Sequence, residues 1–125
     1  MENLTPNIFV KDINATISFY NALGFEKTMS VPETGNYDWV MMMNGNVTIM
    51  FQTFSSLKSD LPQINRTDGG SLLFYVKIRS IRKFYEQLKN KVQIIAELNK
   101  TFYGATEFSI LDNNGYVLTF AEDES

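Results

Sequence analysis

Apolar residues along the chain recur in two rhythms, one of period two and one near 3.6, and the order of the rhythms occurs twice. Residues 4–10 (Leu-Thr-Pro-Asn-Ile-Phe-Val) read as a strand, with Pro6 suiting an edge or a strand start. Asp12 is an N-cap residue type. After it Ile13, Ile17, Tyr20 and Leu23 fall near helical spacing, and Gly24 stops the helix at about its C′ position. Three strands follow, over 25–31, 37–44 and 46–53, with turns at 32–36 and at Asn44-Gly45, a dipeptide typical of two-residue hairpins. The polar stretch 55–70, with Asp60, Pro62, Asp68 and Gly69-Gly70, reads as a connecting loop or lid. Then the order restarts. Residues 71–78 form a strand, and Ile81, Phe84, Tyr85 and Leu88 form a helix face. Strands over 92–97, 105–111 and 116–122 follow, the last two joined through Asn113-Asn114-Gly115.

The repetition is visible by offset. At 65 residues, Phe9, Ile13, Phe19, Tyr20 and Leu23 land on Phe74, Ile78, Phe84, Tyr85 and Leu88; at 70 residues, Asn44-Gly45 lands on Asn114-Gly115. The expectation is an α+β fold made of two tandem βαβββ modules. It is a single domain over 1–125, with module one about 1–54, the loop 55–70 and module two about 71–125. Strand alternation then sorts residues by face. Ile8, Val10, Leu72, Phe74 and Val76 should lie under the helices. The other face takes Thr5, Asn7, Phe9, Ser71, Leu73 and Tyr75, with Tyr37, Trp39, Met41, Glu107, Ser109, Leu111 and Thr119. Aromatics mixed with a few polar groups suit a small-molecule pocket, a second core or a subunit interface alike.

Composition narrows the chemistry. With 125 residues, 44% of them apolar, the chain suits one packed domain. A net charge of −3 with scattered Lys and Arg offers no basic stripe for nucleic acid. No apolar run approaches membrane-spanning length. The first six residues lack the basic-then-apolar character of a signal peptide, so a cytoplasmic location is expected. Cysteine is absent, which removes disulfides, thiolate nucleophiles and Cys-ligated metals. Histidine is absent as well, which excludes a serine triad or a two-His-one-carboxylate iron site within this chain.

The strand ending Val10-Lys11-Asp12, followed by Ser18-Phe19-Tyr20-x-x-Leu23-Gly24-Phe25, resembles the opening of the vicinal oxygen chelate superfamily. That group includes glyoxalase I, bleomycin-resistance proteins, fosfomycin-resistance enzymes and extradiol dioxygenases. The run Tyr103-Gly104-Ala105-Thr106-Glu107-Phe108 through Asp112-Asn113-Asn114-Gly115 is similar to the family's second signature, with Asn113 where Pro is usual and Tyr116 where Asn is usual. The resemblance spans essentially the whole chain. It implies a curved mixed sheet around a cleft (the glyoxalase/bleomycin-resistance-like fold), usually completed by dimerisation, so a homodimer is expected.

The resemblance also implies four metal-ligand positions. They fall on Thr5, on one of Ile49, Met50 or Gln52, on Ser71 and on Thr119. Neutral hydroxyls of this kind bind divalent metals poorly against water, so neither a metal nor another cofactor is expected. Asp112-Asn113-Asn114-Gly115 lacks the spacing and distal Glu of a calcium loop and reads as a hairpin turn. Glu122-Asp123-Glu124 reads as a solvated tail.

The expected function is metal-free binding of an amphipathic or aromatic small molecule, without nucleic acid or membrane as partner. The ligand-binding set is Asn7, Phe9, Trp39, Met41, Ser71, Tyr75, Phe102, Tyr103 and Glu107. Trp39 suits either core or stacking wall, and Met41 either strand filler or ligand surface. Glu107, the one acid placed on the cleft face and the candidate catalytic residue, suits a cationic ligand, proton transfer, or a rim position paired with Lys100 or a neighbour. The alternatives are a lyase, isomerase or dioxygenase of the same superfamily, with atypical metal ligands or with Glu107 and a tyrosine as metal-free acid and base, and a structural or regulatory dimer with a vestigial cleft.

Overall fold

The computed structural model describes residues 1–58, 61, 64 and 72–124. The chain divides into two units, residues 1–68 and 69–125. In the first, β1 (Asn7–Val10), α1 (Ile13–Ala22), β2 (Glu26–Val31), β3 (Trp39–Asn44), β4 (Val47–Thr53) and the short α2 (Phe54–Leu57) follow in order. In the second come β5 (Leu73–Lys77), α3 (Ile81–Leu88), β6 (Gln93–Lys100), β7 (Ala105–Leu111) and β8 (Val117–Asp123). The sheet orders are β1-β4-β3-β2 and β5-β8-β7-β6. β1 pairs with β4 and β5 with β8 in parallel, because the helix after the first strand of each module returns the chain before two antiparallel reversals, and the hairpin-linked strands run antiparallel. The fold is therefore α+β, a βαβββ module made twice.

Local chemistry fixes the ends of α1. Asp12 Oδ1 accepts the Ala15 N–H at 3.0 Å, a cap worth about 1 kcal/mol. At the other end Gly24, at φ +99°, donates to the Asn21 carbonyl (3.0 Å), and Phe25 N–H reaches back to the Tyr20 carbonyl (2.9 Å). This is a Schellman ending, and its apolar contact is present: the Phe25 ring meets Tyr20 edge-on at 5.5 Å. Pro6 stands just before β1, where no N–H is required, and its carbonyl accepts Met50 N–H at 2.9 Å.

Each helix covers one face of its own sheet. In the first unit Tyr20 is fully buried, with Phe51 4.7 Å away by ring centroids, among Ile8, Val10, Val40, Met42 and Ile49. In the second, Ile81 and Leu88 pack with Phe108, Ile110, Leu118 and Phe120; Phe84 meets Phe120 at 5.0 Å and Tyr85 meets Phe108 at 5.1 Å. No helix among the described residues is long and apolar enough to cross a membrane.

Several expectations are corrected. The 65-residue offset holds for Phe19, Tyr20 and Leu23 at the ends of the helices, but not for Ile78, which precedes α3, or for the strands. Phe9 lies on the half-exposed side of β1, whereas Phe74 alternates with the exposed Leu73 and Tyr75, so the strand repeat is displaced by one residue. Leu72 is exposed and precedes β5 rather than packing under a helix. Tyr37 precedes β3, with Lys27 Nζ 4.6 Å above its ring. In the first hairpin Asn44 pairs with Val47, so the turn residues are Gly45-Asn46; Gly45, at φ +58°, takes the first central position as in a type II′ turn. Residues 54–57 are helical rather than loop, because Thr53 Oγ1 caps them through Ser56 N–H at 3.2 Å. β6 continues to Lys100 by bulging at Ile94–Ala96 and Ala96–Asn99.

The acidic end is not a solvated tail. Glu122 accepts from the backbone N–H groups of Ser80 (3.0 Å) and Ile81 (3.1 Å) and so caps α3, whose own Ser80 makes no side-chain cap. Asp123 pairs with Lys77 at 2.8 Å and Glu124 with Arg82 at 2.9 Å.

Phe108→Ala should cost about 3–5 kcal/mol, because a fully buried ring leaves a cavity between α3 and the sheet. Phe102→Ala, removing a ring that is 99% exposed, should cost less than about 0.5 kcal/mol. Urea unfolding of both variants checks the contrast, and equal losses would contradict the packing described.

Candidate functional site

Alternation leaves one face of each sheet uncovered by α1 or α3, and in the first unit the short α2 borders that face. In the first unit, Ile8 and Val10 turn inward, so Asn7 and Phe9 share the opposite face. Asn7 registers with Met50, and Met50 with Met41; Phe9 registers with Gln52, and Gln52 with Trp39. Two rows result, Asn7-Met50-Met41 and Phe9-Gln52-Trp39, all half-buried. Asn7 Nδ2 donates to Gln52 Oε1 (3.0 Å), and Gln52 Nε2 donates to Ser56 Oγ (3.2 Å). Asn7 Oδ1 is buried and accepts no hydrogen bond from the described residues. The Phe9 ring lies 6.3 Å from Phe54 of α2.

In the second unit Tyr75 on β5 registers with Thr119 on β8, and Thr119 with Ser109 on β7. The hydroxyls of Ser109 and Thr119 lie 2.8 Å apart and bond to each other. Glu107 occupies the neighbouring same-face position of β7. The loop after β6 is drawn tight, with Thr101 N–H on the Ala105 carbonyl (2.8 Å), Ala105 N–H on Thr101 Oγ1 (3.1 Å) and Gly104 at φ +87°. This closure brings Tyr103 beside Glu107. Both Tyr75 Oη and Tyr103 Oη donate to the same carboxylate oxygen, Glu107 Oε2, the second at 2.5 Å. Phe102 stands edge-on to Tyr103, with ring centroids 5.0 Å apart. Lys100 registers with Thr106 and does not pair with Glu107, so the rim ion pair is not formed.

The hydrogen bond to the Glu107 carboxylate holds the Tyr75 phenol above its ordinary pKa, with desolvation acting in the same direction. Tyr103 is raised for the same first reason. Both phenols are therefore donors near neutral pH, and neither serves as a base there.

Of the expected site residues, the structure brings together Asn7, Phe9, Trp39 and Met41 on one sheet, and Tyr75, Phe102, Tyr103 and Glu107 in the other unit. Ser71 lies outside the described residues. Sequence reasoning did not assign binding roles to Met50, Gln52, Ser56 or the Ser109–Thr119 pair. The period-two signal for β4 was present in Ile49 and Phe51, which are both buried and leave Met50 and Gln52 on the open side.

The metal positions can now be tested by donor chemistry. Ile49 faces the helix, so only Met50 or Gln52 could serve as the second ligand. Thr5 precedes β1, and Thr119 is 6% exposed with its hydroxyl engaged by Ser109. Two threonines with a thioether or an amide provide neither anionic charge nor imidazole, and they do not fit a divalent cation. Among the described residues no three His, Cys, Asp or Glu side chains converge. The Asp112 segment is a turn: Asp112 Oδ1 accepts the N–H groups of Asn114 (2.8 Å) and Tyr116 (2.9 Å).

The family model for the Glyoxalase/Bleomycin resistance protein/Dioxygenase superfamily matches residues 4–120. The chain belongs to that superfamily. No curated protein matches it. Among solved structures, a glyoxalase/bleomycin resistance protein/dioxygenase family enzyme from Burkholderia phytofirmans PsJN is similar at a TM-score of 0.78 and 21% identity, covering 95% of this chain and 96% of that one. A bleomycin resistance determinant encoded on the transposon Tn5 gives 0.69 and 20%, covering both chains fully. A bleomycin-binding protein complexed with bleomycin gives 0.67 and 20%, with 99% and 100% covered. At these identities the structural likeness speaks for the fold, which the superfamily assignment shares.

Raised phenol pKa values imply that the Tyr–Glu hydrogen bonds stabilise the fold fully below the unfolded tyrosine value, about 10, and are lost as pH climbs through the folded values. An alkaline titration followed by tyrosinate absorbance near 295 nm checks this. In Glu107→Gln, two of the six tyrosines should ionise earlier than in the wild type. Superimposable curves would mean that the carboxylate does not hold the two phenols.

Proposed function

We propose that this protein is a metal-free small-molecule binding protein of the vicinal oxygen chelate type, a cytoplasmic homodimer that holds an amphipathic or aromatic ligand. The observation that carries the reading is the contrast on the open faces. Where the superfamily's metal ligands would fall, Thr5, Met50 or Gln52, and Thr119 supply no anionic donor, while in the first unit Phe9, Trp39, Asn7 and Gln52 share the open face. Phe9 and Trp39 offer stacking surface, Met41 an adaptable contact, and Asn7 and Gln52 amide groups for orientation. Tyr75, Phe102, Tyr103 and Glu107 give the second unit an aromatic surface with one fixed charge, and Ser71 completes the proposed set. A solved structure with this fold is a bleomycin-binding protein complexed with bleomycin, which agrees with small-molecule binding by this fold.

Elemental analysis after dialysis should find no zinc, nickel, manganese or iron near one per chain. Stoichiometric metal would instead favour a lyase, isomerase or dioxygenase with atypical ligands.

A thermal-shift panel of antibiotics, aromatic acids and glutathione adducts should yield a compound that stabilises the wild type. Its effect should be lost in Trp39→Ala or Tyr75→Ala. If no compound raises the Tm, the binding reading fails. Light scattering after size exclusion should give twice the monomer mass, and a monomer would remove the dimer from the reading.

A further inference from the structure

Several acidic groups of the second unit are neutralised locally or spent on structure. Lys77 and Asp123 pair at 2.8 Å, Arg82 and Glu124 at 2.9 Å, and Lys89 and Glu86 at 2.8 Å. Glu122 spends its carboxylate on the N–H groups that open α3. Glu107 has no lysine or arginine partner among the described residues. Its partners are two phenols, both on Oε2, and Oε1 accepts no hydrogen bond from the described residues. The carboxylate is therefore a fixed negative charge with one oxygen open, held in place by donors on β5 and on the loop before β7. Exposed aromatic surface borders it: Tyr75 is 47% exposed, Tyr103 57% and Phe102 99%. Water solvates an ordinary exposed carboxylate well, and apolar rings beside it reduce that solvation on one side. The group that satisfies both elements is an organic cation, whose N–H donors meet the oxygen while its charge and carbon atoms lie against the rings.

We propose that Tyr75, Phe102, Tyr103 and Glu107 form a cation subsite, which takes an ammonium or guanidinium head carried on an apolar body. This rests on the small-molecule-binding reading and names the ligand class for one part of it. Tyr75 and Tyr103 are positioning residues here. By occupying Oε2 from two directions they fix the carboxylate rotamer, so less ordering is needed when a ligand arrives. Ion pairing at an exposed site and cation–π contact are each modest, so the expected preference for a cation over its neutral analogue is about tenfold.

Three probes with one body and different heads test this: 4-phenylbutylamine, 4-phenylbutan-1-ol and 4-phenylbutyrate, titrated into 15N-labelled full-length protein by NMR. The amine should bind about tenfold more tightly than the alcohol and shift the amides of Glu107, Tyr103 and Tyr75, and the butyrate should bind most weakly. In Glu107→Gln the amine should fall to the alcohol's affinity while the alcohol is unchanged. In Tyr103→Phe, which keeps the ring and loses one tether, the amine's advantage should shrink. Raising the salt concentration should weaken the amine alone.

Equal binding of amine and alcohol to the wild type would overturn the cation subsite and leave small-molecule binding intact. The same holds if the amine's advantage survives Glu107→Gln. Absence of shifts from all three probes would overturn the subsite too. The thermal-shift panel, read through Trp39→Ala on the other unit, would then decide the broader reading separately.

Discussion

The rest of the structure depends on a single constraint: in each module a helix of eight or ten residues closes one face of a four-stranded sheet. Strand side chains alternate, so covering one face fixes the membership of the other without further instruction. Tyr20 sits where α1 meets β4 and packs against Phe51, and Phe108 sits where Phe84 and Tyr85 of α3 descend on β7. A register slip of one residue would bring Glu107 and Ser109 under α3 and expose Phe108 and Ile110. That exchange would bury an ionised group and release two apolar ones, so the core enforces the register and the register places the site.

The same logic separates structural from available polar groups. Thr16 is buried within α1, yet its hydroxyl donates to the Asp12 carbonyl at 2.8 Å. Glu122 is drawn into capping because Ser80 enters α3 in the left-handed region, at φ +57°, and supplies no side-chain cap. Thr119 is satisfied by Ser109. Glu107 differs in being a charged group held by two phenols that stay about half exposed.

Much of the fold was legible in the sequence because it is periodic. Ile81, Phe84, Tyr85 and Leu88 mark one helix face, and Ala105–Leu111 alternates so regularly that its strand bounds match the expected ones. The repeat of that periodicity made the module order legible as well. Features decided by partners distant in sequence could not be read. Glu122 caps a helix about forty residues before it. Asn7 finds Gln52 only once β1 lies parallel to β4. The strand offset was misjudged because Phe9 and Phe74 are the same residue type, and residue type does not report the face it occupies. At the site, alternation placed Glu107 on the open side. Nothing in one dimension showed that Tyr75 and Tyr103, rather than Lys100, would hold it.

Those partners decide what the face can do. A divalent cation needs several oxygen or nitrogen donors free to turn toward it, preferably anionic. On this face the Thr119 hydroxyl is committed to Ser109, and Glu107 Oε2 already accepts two phenol protons. Binding a metal at Glu107 would displace those donors or rely on Oε1 alone, one ligand where six to eight are usual for calcium. An N–H donor on a cation requires only one acceptor with an open lone pair and profits from the rings beside it. The phenols that make the carboxylate a poor metal ligand thus make it a well-positioned acceptor. At Glu107, then, the same two hydrogen bonds that disfavour a metal favour the proposed organic cation.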